Sequence, residues 1–284
     1  MENSPGKVKA YARALEAFAG YARLQDPPIE TVRLPFEGRE VVGYLHIPRG
    51  ARPAPVVITI GGLDSRKENA AARNDDYLAR GVAWLAFDMP GTGQSSVRVI
   101  VPGAEREFSR VLDYIATRPE LDARRVAVYG GSWGGHWSAR LAYTERARLR
   151  GAVVQGGPVH AYFQPEWQRK ALGTREYLFE LFEARSAVYG VHTLEEFLAY
   201  GPRMSLAEAG MLDKPSAPML IINGMKDSQV PVEDSFALMR SGSPKEAWIN
   251  PQGGHMGRSA ALSDDAVFEQ VTLPWVVRTL GVAP

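Results

Sequence analysis

Cysteine is absent from this chain, which excludes disulfides, thiolate metal sites and a cysteine nucleophile. Charge of one sign is also missing. The 33 Lys and Arg residues nearly cancel the 32 Asp and Glu, for a formal net charge of +1. The basic residues between Arg140 and Arg150 alternate with Leu, Ala and Tyr and read as the solvated side of a helix. No nucleic acid or anionic membrane is therefore expected as a partner. No apolar run approaches the roughly 18 residues that a membrane span needs. The opening stretch, MENSPGKVKAYARALEAFAGYARL, lacks the apolar heart of a signal peptide, so a cytoplasmic protein is expected. Histidines and carboxylates at metal-ligand spacing are lacking too, and neither a metal nor another cofactor is expected.

What is present suits one large globular domain: 284 residues, 45% of them hydrophobic and 23% charged. Apolar positions at helical spacing (Ala10, Leu15, Phe18, Tyr21) predict a helix from Val8 to Leu24, stopped by Pro27 and Pro28. TVRLPF and VVGYLHIP flank a Gly-containing turn and predict an antiparallel hairpin. From Pro55 onward short, largely apolar runs (PVVITI, VAWLAFD, RVAVYG, LRGAVVQGG, APMLIING, EAWINPQ) alternate with helical patterns. Such runs are strands buried on both faces, and the alternation predicts a mostly parallel sheet with helices on both sides. Ser65 and Glu68 have capping-box spacing and predict a helix running to about Arg80. Further helices are expected over Gly103–Arg118, Gly134–Glu145, Val232–Arg240 and Asp265–Leu280.

The rhythm breaks between Pro158 and Lys214, a helical, aromatic-rich stretch (Tyr162, Phe163, Trp167, Tyr177, Phe179, Phe182) without a buried strand. It reads as an inserted cap. The expected organisation is an N-terminal helical segment over 1–28, a core over 29–157 and 215–284, and a helical cap over 158–214.

Gly130-Gly131-Ser132-Trp133-Gly134 sits between a buried strand and a helix. A G-x-S-x-G in that setting turns so sharply that the serine oxygen stands above the strand ends, with the next amide pointing into the same space. Asp227 follows the strand PMLII, where a carboxylate can orient a histidine, and His255 lies on a glycine-flanked loop after the last strand. Among the other histidines, His46, His136 and His192 read as packing or surface residues, and His160 opens the cap, where it is a candidate pocket residue. The chain order Ser132–Asp227–His255 is that of α/β-hydrolases rather than of chymotrypsin- or subtilisin-like proteases. A second oxyanion donor is expected from Gly61-Gly62-Leu63-Asp64-Ser65: the Leu63 amide, with Gly62 as the alternative, working with the Trp133 amide. Asp88-Met89-Pro90-Gly91-Thr92-Gly93-Gln94-Ser95 lacks the third glycine of a dinucleotide fingerprint and no Gly-Lys-Ser/Thr follows, so it reads as a turn near the active site.

GGLDSRKE, AFDMPGTGQS and YGGSWGGHWSARLA, each after a buried strand, resemble one branch of the α/β-hydrolases. It comprises the 2,6-dihydroxypseudooxynicotine hydrolase group, fungal polyketide-shortening pigment hydrolases and fermentation–respiration switch esterase-like proteins. The resemblance covers roughly Thr31 to Val282. It implies an α/β-hydrolase fold with a Ser132–Asp227–His255 triad under a helical cap, a cap-region glutamate near the substrate for which Glu166 is the candidate, and a homodimer. Tyr162 and Trp167 join His160 and Glu166 as candidate pocket residues. One short N-terminal helix stands where the nicotine-pathway enzyme has a larger helical segment. The expected activity is hydrolysis of a carboxylic ester of a small, aromatic or polyketide-like substrate through an acyl-enzyme. The alternatives are carbon–carbon hydrolysis next to a carbonyl, acyl transfer or thioester cleavage, and a binding protein without catalysis.

Overall fold

The computed structural model describes residues 4–50, 53–173, 180–241, 243 and 245–282. Strands β1 (Glu30–Phe36) and β2 (Arg39–His46) form the expected hairpin, closed by Glu37 and Gly38 at φ 47° and 76°. They are joined by β3 (Ala54–Ile60), β4 (Ala83–Phe87), β5 (Leu121–Gly131), β6 (Gly151–Gln155), β7 (Met219–Gly224) and β8 (Lys245–Asn250) in one sheet, ordered β1-β2-β4-β3-β5-β6-β7-β8. Only β2 runs against its neighbours; every pairing from β4 to β8 is parallel.

Period-2 alternation sends successive side chains of each inner strand to opposite faces, so the sheet separates two apolar cores. Val56, Ile58, Val126, Val128, Met219 and Ile221 enter one core; Val57, Ala127, Tyr129, Leu220 and Ile222 enter the other. The second core is covered by α1 (Pro5–Leu24), α2 (Ala71–Leu78) and α10 (Leu273–Thr279). The first is covered by α3 (Arg106–Thr117), α4 (Trp133–Thr144) and α8 (Val232–Met239). α3 shows the usual cause: Phe108, Val111, Leu112 and Ile115 lie on one stripe and all are buried. α1 begins where Ser4 accepts the Lys7 amide (3.3 Å) and Pro5 fills the first turn. It lies on its own chain through Phe18, whose ring is 4.3 Å from that of Tyr44.

Two expected helices differ in the structure. Ser65 and Glu68 do not form the capping box: a short 3-10 turn (Lys67–Ala70) precedes α2, and Asn69 Oδ1 accepts the Arg66 amide (3.0 Å). A buried ion pair sets this turn. Lys67, fully buried, donates its amide to Asp88 Oδ1 (3.0 Å) and its ammonium to Asp88 Oδ2 (2.9 Å), and Glu68 turns to the same ammonium (2.8 Å). The last helix is divided into α9 (Asp264–Val267), a π turn (Phe268–Thr272) and α10. Pro274 has no amide to bond the preceding turn, and the helix widens just before it.

The segment between β6 and β7 contains a 3-10 turn (Ala161–Phe163), α5 (Pro165–Leu172), α6 (Leu181–Tyr189), α7 (Leu194–Tyr200) and a second 3-10 turn (Gly201–Met204), with no strand among the described residues. Tyr177 and Phe179 lie outside the described residues. Tyr162, Phe163, Tyr189 and Phe197 are buried in the same core as Val56 and Trp133, so the insertion continues the first core. Its entry is held by Asp234 of α8, whose carboxylate accepts the amides of Val159 (2.8 Å), His160 (3.0 Å), Ala161 (2.6 Å) and Tyr162 (3.2 Å).

A second buried carboxyl has a pH consequence. Glu107 of α3 is wholly buried and receives the hydroxyls of Ser95 (2.9 Å) and Ser96 (2.8 Å). Burial pushes it up to about 7, against the opposing pull of those hydrogen bonds. A carboxyl raised on folding adds stability below its unfolded value, near 4.3, and loses that contribution as pH rises through the folded value. Between about pH 5 and 8 the wild type should lose on the order of 2 kcal/mol that Glu107→Gln does not lose. Urea midpoints of both proteins across that range check it; parallel curves would mean that Glu107 ionises freely in the fold.

Candidate active site

The turn from β5 into α4 carries Ser132 at φ 53°, ψ −124°, a left-handed conformation that costs a non-glycine residue about 1–3 kcal/mol. The surroundings enforce it. The Ser132 amide donates to the Gln155 carbonyl (2.8 Å), and its own carbonyl accepts from Gly135 (2.8 Å). The flanking glycines are required by contact: a Cβ on Gly130 would stand 2.0 Å from the Gly134 carbonyl oxygen, and one on Gly134 would stand 2.1 Å from that of Ile60. Both obstacles are backbone and cannot rotate away. Gly134→Ala should therefore cost roughly 3 kcal/mol, read as a lower urea midpoint at unchanged slope. A variant as stable as wild type would show that β3 and α4 can separate freely.

Asp227 and His255 arrive from the ends of β7 and β8. The Met225 amide donates to the Asn250 carbonyl (3.0 Å) and the Lys226 amide to that of Gly253 (2.8 Å), which fixes one loop on the other. Gly224 allows the approach, because a Cβ there would meet the Gly253 carbonyl oxygen at 2.1 Å. Asp227 Oδ1 accepts the amides of Gln229 (2.7 Å) and Val230 (2.9 Å), leaving Oδ2 for His255 Nδ1 at 2.8 Å. His255 Nε2 lies 2.8 Å from Ser132 Oγ. A carboxylate only accepts, so Nδ1 carries the proton and Nε2 is the acceptor facing the serine hydroxyl. All three residues are buried.

The loop after β3 lies directly against the serine. A Cβ on Gly62 would be 3.0 Å from Ser132 Cβ and 3.5 Å from its Oγ, while the Leu63 side chain turns into the first core. Trp133 opens α4, so its amide belongs to a helix N-terminus. A cavity of about 380 Å3 opens beside Ser132, lined there by Gly61, Gly62, Phe87, Tyr129 and Met256. Its wall also holds Arg73, bound to Asp264 (2.6 Å) and Asp265 (2.8 Å). Sequence reasoning missed this ion pair, as it missed Gln155, whose carbonyl takes the Ser132 amide and whose side chain donates to Asp264 Oδ1 (3.0 Å).

The four candidate pocket residues take other positions. His160 Nδ1 is 2.8 Å from Ser205 Oγ, and Glu166 is exposed. Tyr162 is buried with its hydroxyl receiving Trp133 Nε1 (2.9 Å), and Trp167 donates to the Gln229 carbonyl (3.0 Å). None of them lines the cavity beside Ser132. The turn after β4 folds around Asp88, which accepts the Gln94 amide (2.9 Å). Among the described residues no group of three His, Asp or Glu side chains could hold a metal, and no helix is long and apolar enough to cross a membrane.

Sheet order, one reversed strand and a strained serine between β5 and its following helix define the α/β-hydrolase fold. Solved structures agree at the level of fold. A crystal structure of 2,6-dihydroxy-pseudo-oxynicotine hydrolase matches with TM-score 0.83 at 24% identity, over 98% of this chain and 75% of that one. Est1E from Butyrivibrio proteoclasticus matches with TM-score 0.62 at 19% identity, over 88% and 99%. The profile of the FrsA-like esterases ("Esterase FrsA-like") covers residues 7–247, and the chain belongs to that family. Esterase FrsA of Salmonella newport (strain SL254) is 31% identical over 210 residues, 72% of this chain and 50% of its own length. That of Vibrio vulnificus (strain YJ016) is 31% identical over 157 residues, 55% of this chain and 38% of its own. The chain thus spans half or less of these two curated relatives.

Proposed function

We propose that this protein is a serine hydrolase that cleaves a small carboxylic ester through an acyl-enzyme, with Ser132 as nucleophile, His255 as general base and Asp227 as the residue that orients the base. The observation that carries the reading is the unbroken hydrogen-bonded series from Asp227 Oδ2 through His255 to Ser132 Oγ, with both links at 2.8 Å. His255 Nε2 takes the hydroxyl proton as Ser132 Oγ attacks the ester carbonyl. The Trp133 amide and an amide of the Gly62–Leu63 turn meet the oxyanion. His255 then hands its proton to the leaving alkoxide, and water activated by the same nitrogen releases the acid.

Membership of the FrsA-like esterases supports ester cleavage. The expectation of an aromatic or polyketide-like substrate rests on resemblance, since Tyr162, Phe163, Tyr189 and Phe197 are taken up by the core that the insertion shares with the sheet.

The test is intact mass after exposure to a fluorophosphonate, with Ser132→Ala and His255→Ala in parallel. One adduct is expected on the wild type and none on either variant. An unlabelled wild type, or a labelled Ser132→Ala, would remove Ser132 as nucleophile.

A further inference from the structure

Arg185 of α6 is a buried cation that forms no ion pair among the described residues. It is 3% exposed. Its Nη2 donates to Gln229 Oε1 (2.7 Å), and its guanidinium lies 5.2 Å over the Tyr162 ring. Nε and Nη1 are buried and have no hydrogen-bond partner among the described residues. Among the described residues no carboxylate forms an ion pair with it, unlike the buried Arg140, which holds Glu105 at 3.0 Å. A guanidinium keeps its charge at every working pH, and withdrawing it from water is costly unless an anion and a full set of acceptors meet it. One side-chain carbonyl and one aromatic face meet only part of that demand.

Its neighbours connect it to both ends of the site. The Gln229 amide donates to Asp227 Oδ1 (2.7 Å), the residue facing His255. Tyr162 receives the indole N–H of Trp133 (2.9 Å), the residue that follows Ser132. Arg185 is therefore linked to Asp227 through Gln229 and to Ser132 through Tyr162 and Trp133, on the side of the insertion and outside the cavity beside Gly62.

We infer that Arg185 is the anion-recognition residue of the substrate site, and that the preferred ester carries a carboxylate which pairs with it. This rests on the reading of Ser132 as nucleophile. The carboxylate can belong to the acyl chain or to the alcohol, and the two are separable by experiment. Arg rather than Lys suits the position, because a planar guanidinium can lie on Tyr162 while its nitrogens bond a planar carboxylate.

The test compares two substrate pairs on the full chain: 4-nitrophenyl butyrate against 4-nitrophenyl hemisuccinate for the acyl side, and phenyl acetate against 4-acetoxybenzoate for the alcohol side. Wild type should favour the anionic member of one pair in kcat/KM by about 10- to 100-fold. Arg185→Met should bring that ratio close to one, and Arg185→Lys should restore part of it. A merely structural Arg185 would lower both members alike and leave the ratio standing. No anionic preference in either pair, or a preference that survives in Arg185→Met, overturns the inference while leaving the nucleophile intact. If no ester is turned over and the wild type takes no fluorophosphonate adduct, the serine reading has failed; with or without the adduct, ion binding then decides on Arg185. Succinate or 4-hydroxybenzoate should then raise the Tm of wild type and not of Arg185→Met; equal shifts, or none, overturn it.

Discussion

Ser132→Ala is expected to lower kcat on a small neutral ester by about 10^4- to 10^6-fold, with KM little changed. The reason is the division of labour in the site. In the proposed mechanism Ser132 Oγ supplies the bond to the acyl group, and among the described residues no other hydroxyl bonds to His255 Nε2. The amides of Trp133 and the Gly62–Leu63 turn would remain, so residual turnover above the rate in water should persist. His255→Ala should cost about as much, and the double variant little more than either single change, because residues that act as one unit lose their effect together. Asp227→Ala should cost roughly 10^4-fold, since it removes the acceptor that holds the proton on Nδ1. Initial rates at matched protein concentration, set against wild type, check all four variants. A loss under tenfold in Ser132→Ala would show that the reaction does not pass through this serine.

Asp234→Ala should give the largest loss of stability, about 3–5 kcal/mol. Four consecutive amides, Val159 to Tyr162, converge on this one carboxylate at the point where the chain leaves β6 for the insertion. Asp234 is 1% exposed, so water does not take its place. Burial holds its carboxyl above the usual aspartate value even though the four amides pull it down. Removing the acceptor leaves buried donors unmet. Asp234→Asn should lose less, as it keeps one oxygen. Activity should fall with stability, because Tyr162, anchored here, receives the indole of the residue next to Ser132. Urea unfolding at fixed pH measures the first effect. A change below about 0.5 kcal/mol would mean that the amides find other acceptors.

The parts of the site visible from the sequence are those controlled by the local chain. Gly130, Gly131 and Gly134 around Ser132 report a turn too tight for side chains, and the contacts at 2.0 and 2.1 Å supply the reason. PVVITI and PMLII report strands buried on both faces, and the loops that follow such strands converge at one edge of a parallel sheet. Placing Asp227 and His255 therefore needed only the order of strands and loops. The hairpin, the elbow helix and the helical insertion were visible on the same grounds.

What tertiary structure decided is the direction of each side chain inside the insertion and the identity of each polar partner. His160 turns to Ser205, Trp167 to Gln229, and Glu166 to solvent, because each follows the packing of the insertion against the core rather than any period in its own sequence. The Lys67–Asp88 pair displaced a capping box that was well formed on paper, and its partners are 21 residues apart. Asp234 and the amides it holds are separated by 72 to 75 residues. Arg185 looks like any helical arginine until burial removes its water. Local spacing governs backbone shape, since backbone hydrogen bonds and glycine contacts act within a few residues; a charge finds its partner only once the fold has chosen which distant segments exclude solvent.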